Sequence, residues 1–214
     1  MEEKDFWIAF NHVMGIGPTR FQKLLNTFGD AQTAWRAGVK ELSEVIGPGI
    51  AQKVEEERKK IEPEKLREKI EGKNFKILTL QDDDYPPLLR HISNPPFLLY
   101  MWGNLDFRQF DFFISIVGTR RPTPYGRKVT RILASDLAKE NWVVVSGLAL
   151  GIDGEAHSSV VQEEGITVGV LGSGLEVIYP SSHRKLAGEI VEKGGAIISE
   201  YPPPCPPRPE NFPP

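Results

Sequence analysis

From residue 112 onward, apolar runs alternate with stretches of helical spacing, and this alternation constrains the fold more than any other feature of the sequence. Helical spacing is found at residues 125–140, 154–164 and 183–193. The apolar runs between them are Ile114–Val117, Trp142–Val145, Ile166–Leu171 and Ala196–Ile198. Strands that alternate with helices of roughly 10–15 residues predict βαβ units. We therefore predict an α/β fold with a parallel sheet flanked by helices, in which Phe112–Val117 forms a buried strand.

The ends of three predicted strands are rich in glycine and small polar residues. In parallel folds the carboxyl ends of the strands open into one crevice, where ligands bind. Glycine lets the backbone approach a ligand closely, and free amides at a helix start attract phosphate. We predict a phosphate-binding crevice here, and the alternative is a set of ordinary strand-to-helix turns. The candidate residues are Gly118, Thr119, Arg120 and Arg121 after the first strand, Ser146, Gly147 and Gly151 after the second, and Gly172, Ser173 and Gly174 after the third.

Basic residues are concentrated near these strand ends. The whole chain has a formal net charge of −3, so a nucleic acid would have to bind a local basic patch. Arg184 and Lys185 follow the third strand and start the next predicted helix. Arginine binds phosphate through paired hydrogen bonds and stacks on bases. Arg127 and Arg131 lie four residues apart and share one helix face. For these two arginines, a solvated helix surface is the alternative. Between residues 115 and 131 the basic residues are Arg120, Arg121, Arg127, Lys128 and Arg131, with no acidic residue among them.

The sequence predicts a small all-helical domain over residues 1–72 and a second domain over residues 73–214. Two Gly-x-Gly turns, Gly15/Gly17 and Gly47/Gly49, lie between predicted helices. This arrangement is similar to the helix-hairpin-helix or SAM-like type, in which glycine turns let amides reach a nucleic-acid phosphate. Tight hairpins that use glycine only for packing are the alternative, and the domain is not basic overall.

The sequence lacks the residues that several functional classes need. The single cysteine, Cys205, has no partner for an internal disulfide, so a cytoplasmic protein is expected. No apolar run approaches the roughly 18 residues of a membrane span. The run from Gly172 to Val177 lacks the third glycine of a dinucleotide site, and neither a P-loop lysine nor zinc-ligand spacing is present. We expect no cofactor and no metal. Ser146, Asp153 and His157 could be imagined as a hydrolase triad, but no part of the sequence resembles a nucleophile elbow. We therefore expect Asp153 to cap a helix and His157 to lie in the core.

Four sequence blocks, in order, resemble the DNA-processing protein A family (DprA/Smf). They are residues 116–126 (IVGTRRPTPYG), residues 146–157 (SGLALGIDGEAH), residues 170–180 (VLGSGLEVIYP) and residues 198–213, which begin ISEYP and end with Asn211-Phe212-Pro213. The resemblance implies a Rossmann-like domain that binds single-stranded DNA without enzymatic turnover. It also implies protection of incoming DNA in natural transformation, loading of the RecA recombinase with displacement of single-strand binding protein, and a homodimer.

The family's Gly-Ser/Thr-Arg motif falls on Gly118, Thr119 and Arg120, and its basic position after the Tyr-Pro turn falls on Arg184 or Lys185. Family members commonly carry a basic residue where this chain has Leu150. The family also continues beyond its Asn-Phe-Pro motif, so this chain is expected to be shortened, with an exposed sheet edge and an unsettled dimer. Base stacking is assigned to Tyr125 or Tyr179. The alternatives are a nucleotide-processing enzyme of the phosphoribohydrolase type and a nucleotide-sensing module.

Overall fold

The computed structural model describes residues 1–212, so Pro213 of the Asn-Phe-Pro block and Pro214 lie outside the described residues. The chain divides into two compact units, the first ending at Leu99 and the second beginning at Tyr100. The sequence predicts a domain boundary after residue 72. The observed division instead keeps residues 73–99, including one strand, with the helical region.

The described part of the first unit contains six α-helices and a strand. Proline is the first residue of α2, α5 and α6, where its missing amide costs no hydrogen bond. The helices are α1 (Glu3–Asn11), α2 (Pro18–Phe28), α3 (Ala31–Arg36), α4 (Val39–Ile46), α5 (Pro48–Arg58) and α6 (Pro63–Glu71), followed by β1 (Phe75–Thr79) and a 3₁₀ helix (Pro87–His91). The predicted helical region before the sheet is confirmed.

Aromatic side chains fill the core of the first unit. Phe21 stacks on Phe97 with ring centroids 4.1 Å apart, and Trp7 meets Phe21 edge-on at 4.7 Å. The Glu3 carboxylate accepts a hydrogen bond from the amide of Ala31 at 2.6 Å, so α1 satisfies an otherwise unpaired donor at the start of α3. These contacts give the short helices a shared core, which helices of this length need in order to be stable.

The second unit is a sheet covered by helices, as predicted. Its strands are ordered β2-β6-β5-β4-β3, and all neighbours are parallel except β2 and β6, which are antiparallel. The sheet is therefore mixed rather than purely parallel. The strands are β2 (Leu98–Gly103), which starts at the end of the first unit, β3 (Phe113–Ser115), β4 (Val143–Ser146), β5 (Thr167–Val170) and β6 (Ala196–Ser199); the helices are α7 (Pro124–Lys139), α8 (Ile152–Gln162) and α9 (Arg184–Glu192).

The prediction that Phe112–Val117 forms a buried strand is wrong. Phe112 is 55% exposed and Val117 is 69% exposed. The reason is position: among the described residues β3 pairs only with β4, so it is an edge strand. The buried core lies one strand further in, where Val144 of β4 packs with Ala134 of α7 and Val160 of α8.

Candidate functional site

The loops that follow β3 and β4 are joined by one buried carboxylate. Asp153, in the first turn of α8, is 6% exposed. Its oxygens accept hydrogen bonds from the amide of Gly118 at 3.3 Å and from the amide of Gly147 at 3.1 Å. Asp153 therefore bridges two loops, where the sequence predicted a helix cap. Both glycine amides are engaged by this carboxylate.

Gly151 lets these loops approach each other directly. Its φ of +86° lies in the left-handed region, and a Cβ atom at this position would lie only 2.8 Å from the Cα of Arg120 and would collide with the Thr119 carbonyl. That carbonyl accepts a hydrogen bond from the amide of Ile152 at 3.2 Å. The backbone of Arg120 is thus fixed against the start of α8.

Arg120, Gly151 and Lys185 meet in one groove of about 560 Å³ in the second unit. These predicted residues come from the β3 exit, the β4 exit and the start of α9, so the topology brings three separate sequence blocks to one place. The other residues that line the groove are Arg127, Leu150, Gly154, Glu155, Ser158, Ser182, His183, Leu186 and Glu189.

Two acidic residues of the groove are paired with its cations. Glu155 accepts hydrogen bonds from Arg131 at 2.5 Å and from Arg127 at 3.3 Å, and the bond from Arg131 is the main cause that lowers the pKa of Glu155. Lys185 pairs with Glu189 at 3.2 Å. Part of the positive charge that the sequence predicted is therefore neutralised within the protein.

Three other predicted arginines are available for a ligand. Arg120, Arg121 and Arg184 are exposed, and none of them forms an ion pair with any residue from 1 to 212. Beside them, Thr119 accepts a hydrogen bond from the amide of Arg121 at 3.1 Å through its hydroxyl, which stabilises the turn. Arg120 and Arg121 are therefore carried by an ordered loop, and Arg184 by the first turn of α9.

His183 also lines the groove, and sequence analysis missed it. Its Nδ1 atom donates to the carbonyl of Leu148 at 2.8 Å. Its ring lies against Gly154, where a Cβ atom would come within 2.5 Å of Cε1. A histidine directly after Tyr179-Pro180-Ser181-Ser182 carries no signal of its own in a single sequence, because its contacts lie about 30 residues earlier in the chain.

Gly172, Ser173 and Gly174 do not line the groove, although the sequence predicted that they would. Residues from the end of the described chain cover them: the amide of Gly174 donates to the Cys205 carbonyl at 2.8 Å, and Asn211 donates to the Gly172 carbonyl at 2.9 Å. Ser173 is 1% exposed. These glycines permit close backbone packing rather than an open ligand surface.

Ser146, Asp153 and His157 are each bonded elsewhere, so they do not form a hydrolase triad. Ser146 donates to the Ile116 carbonyl at 2.6 Å. His157 is fully buried, as predicted, and its Nδ1 atom donates to the hydroxyl of Thr167 at 2.7 Å, since that hydroxyl donates in turn to a backbone carbonyl. Burial lowers the pKa of His157 to about 4, which keeps the ring neutral at physiological pH.

Residues 76–214 match the family described as DNA recombination-mediator protein A. The chain belongs to this family. The resemblance to DNA-processing protein A that the sequence blocks indicate is thereby confirmed.

Relatives of the DNA recombination-mediator protein A family align over much of the chain. The protein Smf of Synechocystis sp. is 41% identical over 99% of this chain and 54% of its own length. The DNA processing protein DprA of Bacillus subtilis is 37% identical over 64% of this chain and 46% of its own length. The chain thus spans about half the length of these curated relatives.

Solved structures of the family share the fold. The X-ray structure of DprA from Streptococcus pneumoniae has a TM-score of 0.78 and 28% identity, covering 99% of this chain and 72% of that one. A structure of DprA from Helicobacter pylori, described for its single-stranded DNA binding mode, has a TM-score of 0.57 and 33% identity, covering 64% of this chain and 60% of that one.

The glycine turns of the first unit of this family member differ in their surroundings. A Cβ atom at Gly15 would lie 2.6 Å from Ile50, so this glycine lets two hairpins pack together. At Gly17, Gly47 and Gly49 a Cβ atom would meet no heavy atom within 4 Å. Nucleic-acid contacts at these turns stay a prediction.

None of the helices described in residues 1–212 has both the length and the hydropathy to cross a membrane.

Proposed function

We propose that the groove lined by Arg120 and Lys185 binds the phosphates of single-stranded DNA. The observation that carries this proposal is the set of exposed arginines without an ion pair in residues 1–212, namely Arg120, Arg121 and Arg184. Guanidinium groups that form no ion pair can bind phosphate without first breaking an ion pair with a carboxylate of the protein. The family membership and the relative described for its single-stranded DNA binding mode support the same ligand.

Side chains rather than backbone amides supply most of the proposed contacts. The amides of Gly118, Gly147 and Gly174 already donate to Asp153 or to Cys205. Of the two basic residues that start α9, Lys185 lines the groove, and Arg184 adds positive charge outside its lining. We therefore assign the family's basic position to Lys185.

Exposed aromatic rings suit the bases of an unpaired strand. Tyr125 is 78% exposed and Tyr179 is 49% exposed. An aromatic ring stacks on any base, and each such stack contributes about 1–3 kcal/mol to binding. Tyr125 is the second residue of α7 and follows Arg121 by four residues, so we assign it as the platform for a base whose phosphate contacts Arg120 or Arg121.

The wider role follows from the family and is proposed with it. The protein acts in the cytoplasm and binds single strands without catalytic turnover. It protects incoming DNA and loads a RecA-type recombinase in place of single-strand binding protein. The family's description as a recombination mediator supports this role. A homodimer remains a prediction from the resemblance.

The test is DNA binding measured against salt for Arg120→Ala, with Lys139→Ala as the matched control. Lys139 is a cation at the far end of α7 that pairs with Glu163. We expect Arg120→Ala to weaken oligonucleotide binding about tenfold and to reduce the salt slope by about 0.7, the value for one lost single-strand phosphate contact. Lys139→Ala should leave both unchanged.

Three results would contradict the proposal. If Arg120→Ala behaves like Lys139→Ala, the site is wrong. If duplex DNA binds as tightly as a single strand, the ligand is wrong. If the protein releases a base from a mononucleotide, the alternative of a nucleotide-processing enzyme replaces the proposal.

A further inference from the structure

The tautomer of His183 is fixed by the backbone. Nδ1 lies 2.8 Å from the Leu148 carbonyl oxygen, which only accepts hydrogen bonds, so Nδ1 carries a hydrogen in both charge states of the ring. In the neutral ring Nε2 therefore carries a lone pair. No residue from 1 to 212 forms a hydrogen bond with Nε2.

Gly154 lies against this edge of the His183 ring, and both residues line the groove. A Cβ atom at Gly154 would lie 2.5 Å from Cε1 and 3.1 Å from Nε2 of His183, so the ring occupies the space that a side chain on α8 would take. The same groove is lined by Arg120 and Lys185, to which the proposed function assigns phosphate contacts.

We propose that His183, once protonated, is a further phosphate contact of the groove and makes single-stranded DNA binding dependent on pH. This proposal rests on the proposed function. A neutral Nε2 and a phosphate oxygen both accept hydrogen bonds, so they repel each other. A protonated ring instead donates Nε2–H and adds one positive charge to the groove. Histidine is the side chain whose charge ordinarily changes between about pH 5 and pH 8.

The groups packed around His183 are already engaged or keep their charge in this range. Glu155 of α8 is bonded to Arg127 and Arg131 of α7, and those arginines lower its pKa. His157, also on α8, remains neutral because burial lowers its pKa to about 4. The remaining charged groups around the groove are Asp153 of α8, Arg120 of the β3 exit, and Arg184, Lys185 and Glu189 of α9. Among the described residues, His183 is thus the one histidine that lines the groove.

The experiment compares wild type, His183→Asn and His91→Asn. His91 is an exposed histidine in the first unit and serves as the matched control. The asparagine amide at position 183 keeps a donor for Leu148 without a group that titrates. The probe is an oligothymidylate with hydroxyl ends, because neither its bases nor its ends titrate between about pH 6 and pH 8. Affinity and salt slope are measured at both pH values and at constant ionic strength.

We expect wild type and His91→Asn to bind about tenfold more tightly at about pH 6 than at about pH 8, with a salt slope larger by about 0.7. His183→Asn should show no gain in affinity or salt slope between about pH 8 and about pH 6. A urea unfolding curve of each variant shows that it is folded.

Gly154→Ala provides a second test that keeps the histidine. The added methyl group displaces the ring edge, so this variant should also lose the gain at low pH. If His183→Asn and Gly154→Ala both keep the wild-type pH dependence while Arg120→Ala weakens binding, the role of His183 is overturned and the proposed function stands. If Arg120→Ala has no effect at either pH, the proposed function itself fails.

Discussion

The carboxylate of Asp153 accepts a hydrogen bond from the amide of Gly147, with 3.1 Å between Oδ2 and the nitrogen. The other oxygen accepts from the amide of Gly118, which belongs to a different loop. One buried side chain therefore fixes the relative positions of the β3 and β4 exits. The position of Arg120 in the groove depends on it.

Replacing Asp153 by asparagine should destabilise the second unit. The new amide group places a donor opposite one of the two backbone donors and leaves a buried amide unsatisfied, which costs about 2–3 kcal/mol. The measurement is the free energy of unfolding in urea, and Asp136→Asn, at an exposed position of α7, is the control. A difference between the two variants below about 0.5 kcal/mol would contradict the bridging role.

Replacing Glu155 by glutamine should strengthen single-stranded DNA binding. The substitution removes the negative charge that pairs with Arg127 and Arg131, so both guanidinium groups become available to phosphate. We expect affinity to rise roughly threefold and the salt slope to increase by about 0.7. Glu163→Gln, which removes the partner of Lys139, should change neither. Weaker binding would show instead that Glu155 positions the arginines for the ligand.

The buried imidazole of His157 should make folding sensitive to acid. Its pKa in the folded protein is lowered to about 4, whereas an unfolded histidine takes up a proton near pH 6.5. This contribution to stability is present above about pH 6.5 and is lost as pH falls toward 4, by about 3 kcal/mol over the whole range.

Urea unfolding of wild type and His157→Asn between about pH 7 and pH 4 tests this expectation. The variant should show a clearly smaller decline than wild type. A residual decline is expected because burial also lowers the pKa of His12. Equal declines in the two proteins would rule out His157 as the source.

Gly151 and Gly188 form a matched pair for alanine substitution. Gly151 has a φ of +86° and no room for a side chain, so Gly151→Ala should destabilise the protein by more than about 2 kcal/mol and weaken DNA binding. Gly188 lies inside α9 with open space around it, so Gly188→Ala should stabilise by about 0.5–1 kcal/mol. Thermal unfolding and oligonucleotide titration measure both effects. A stable, fully binding Gly151→Ala variant would contradict the packing of Gly151 on Arg120.

Leu150 offers a gain-of-function test of the groove. It is 47% exposed and lines the groove. Leu150→Lys should increase the salt slope of single-strand binding by about 0.7 and tighten binding several-fold. Leu133→Lys, which adds the same charge at a 52%-exposed position of α7 outside the groove lining, is the control. Equal gains in both variants would point to general attraction rather than to a defined site.

The alternation of strands and helices was predictable because each apolar run overlaps one strand and each stretch of helical spacing between the runs overlaps one helix. The exposure of β3 was not predictable, because an edge strand such as Phe113–Ser115 is as apolar as a central strand. Only the topology decides which strands pair with it. The antiparallel partner of β6, β2, likewise depends on a connection of more than 90 residues.

For the candidate site, sequence predicted the cations but not their partners. Glu155 lies 24 residues from Arg131 in sequence, and no local pattern indicates that the two side chains meet. The proline-rich residues 202–209 have no periodicity from which their position over Gly174 might be read. Small residues at a strand exit therefore predict close backbone approach, but not whether a ligand or another part of the chain makes it.

The cover that residues 203–211 provide over the β5 exit also has a consequence for protein synthesis. The amides of Gly174 and Glu176 donate to carbonyl groups of Cys205 and Pro203, which are translated about 30 residues later. Until that stretch has left the ribosome, these two hydrogen bonds cannot form. In a nascent chain, strands β2 to β6 are therefore synthesised before the turn after β5 can form these hydrogen bonds, and residues 203–205 complete that turn.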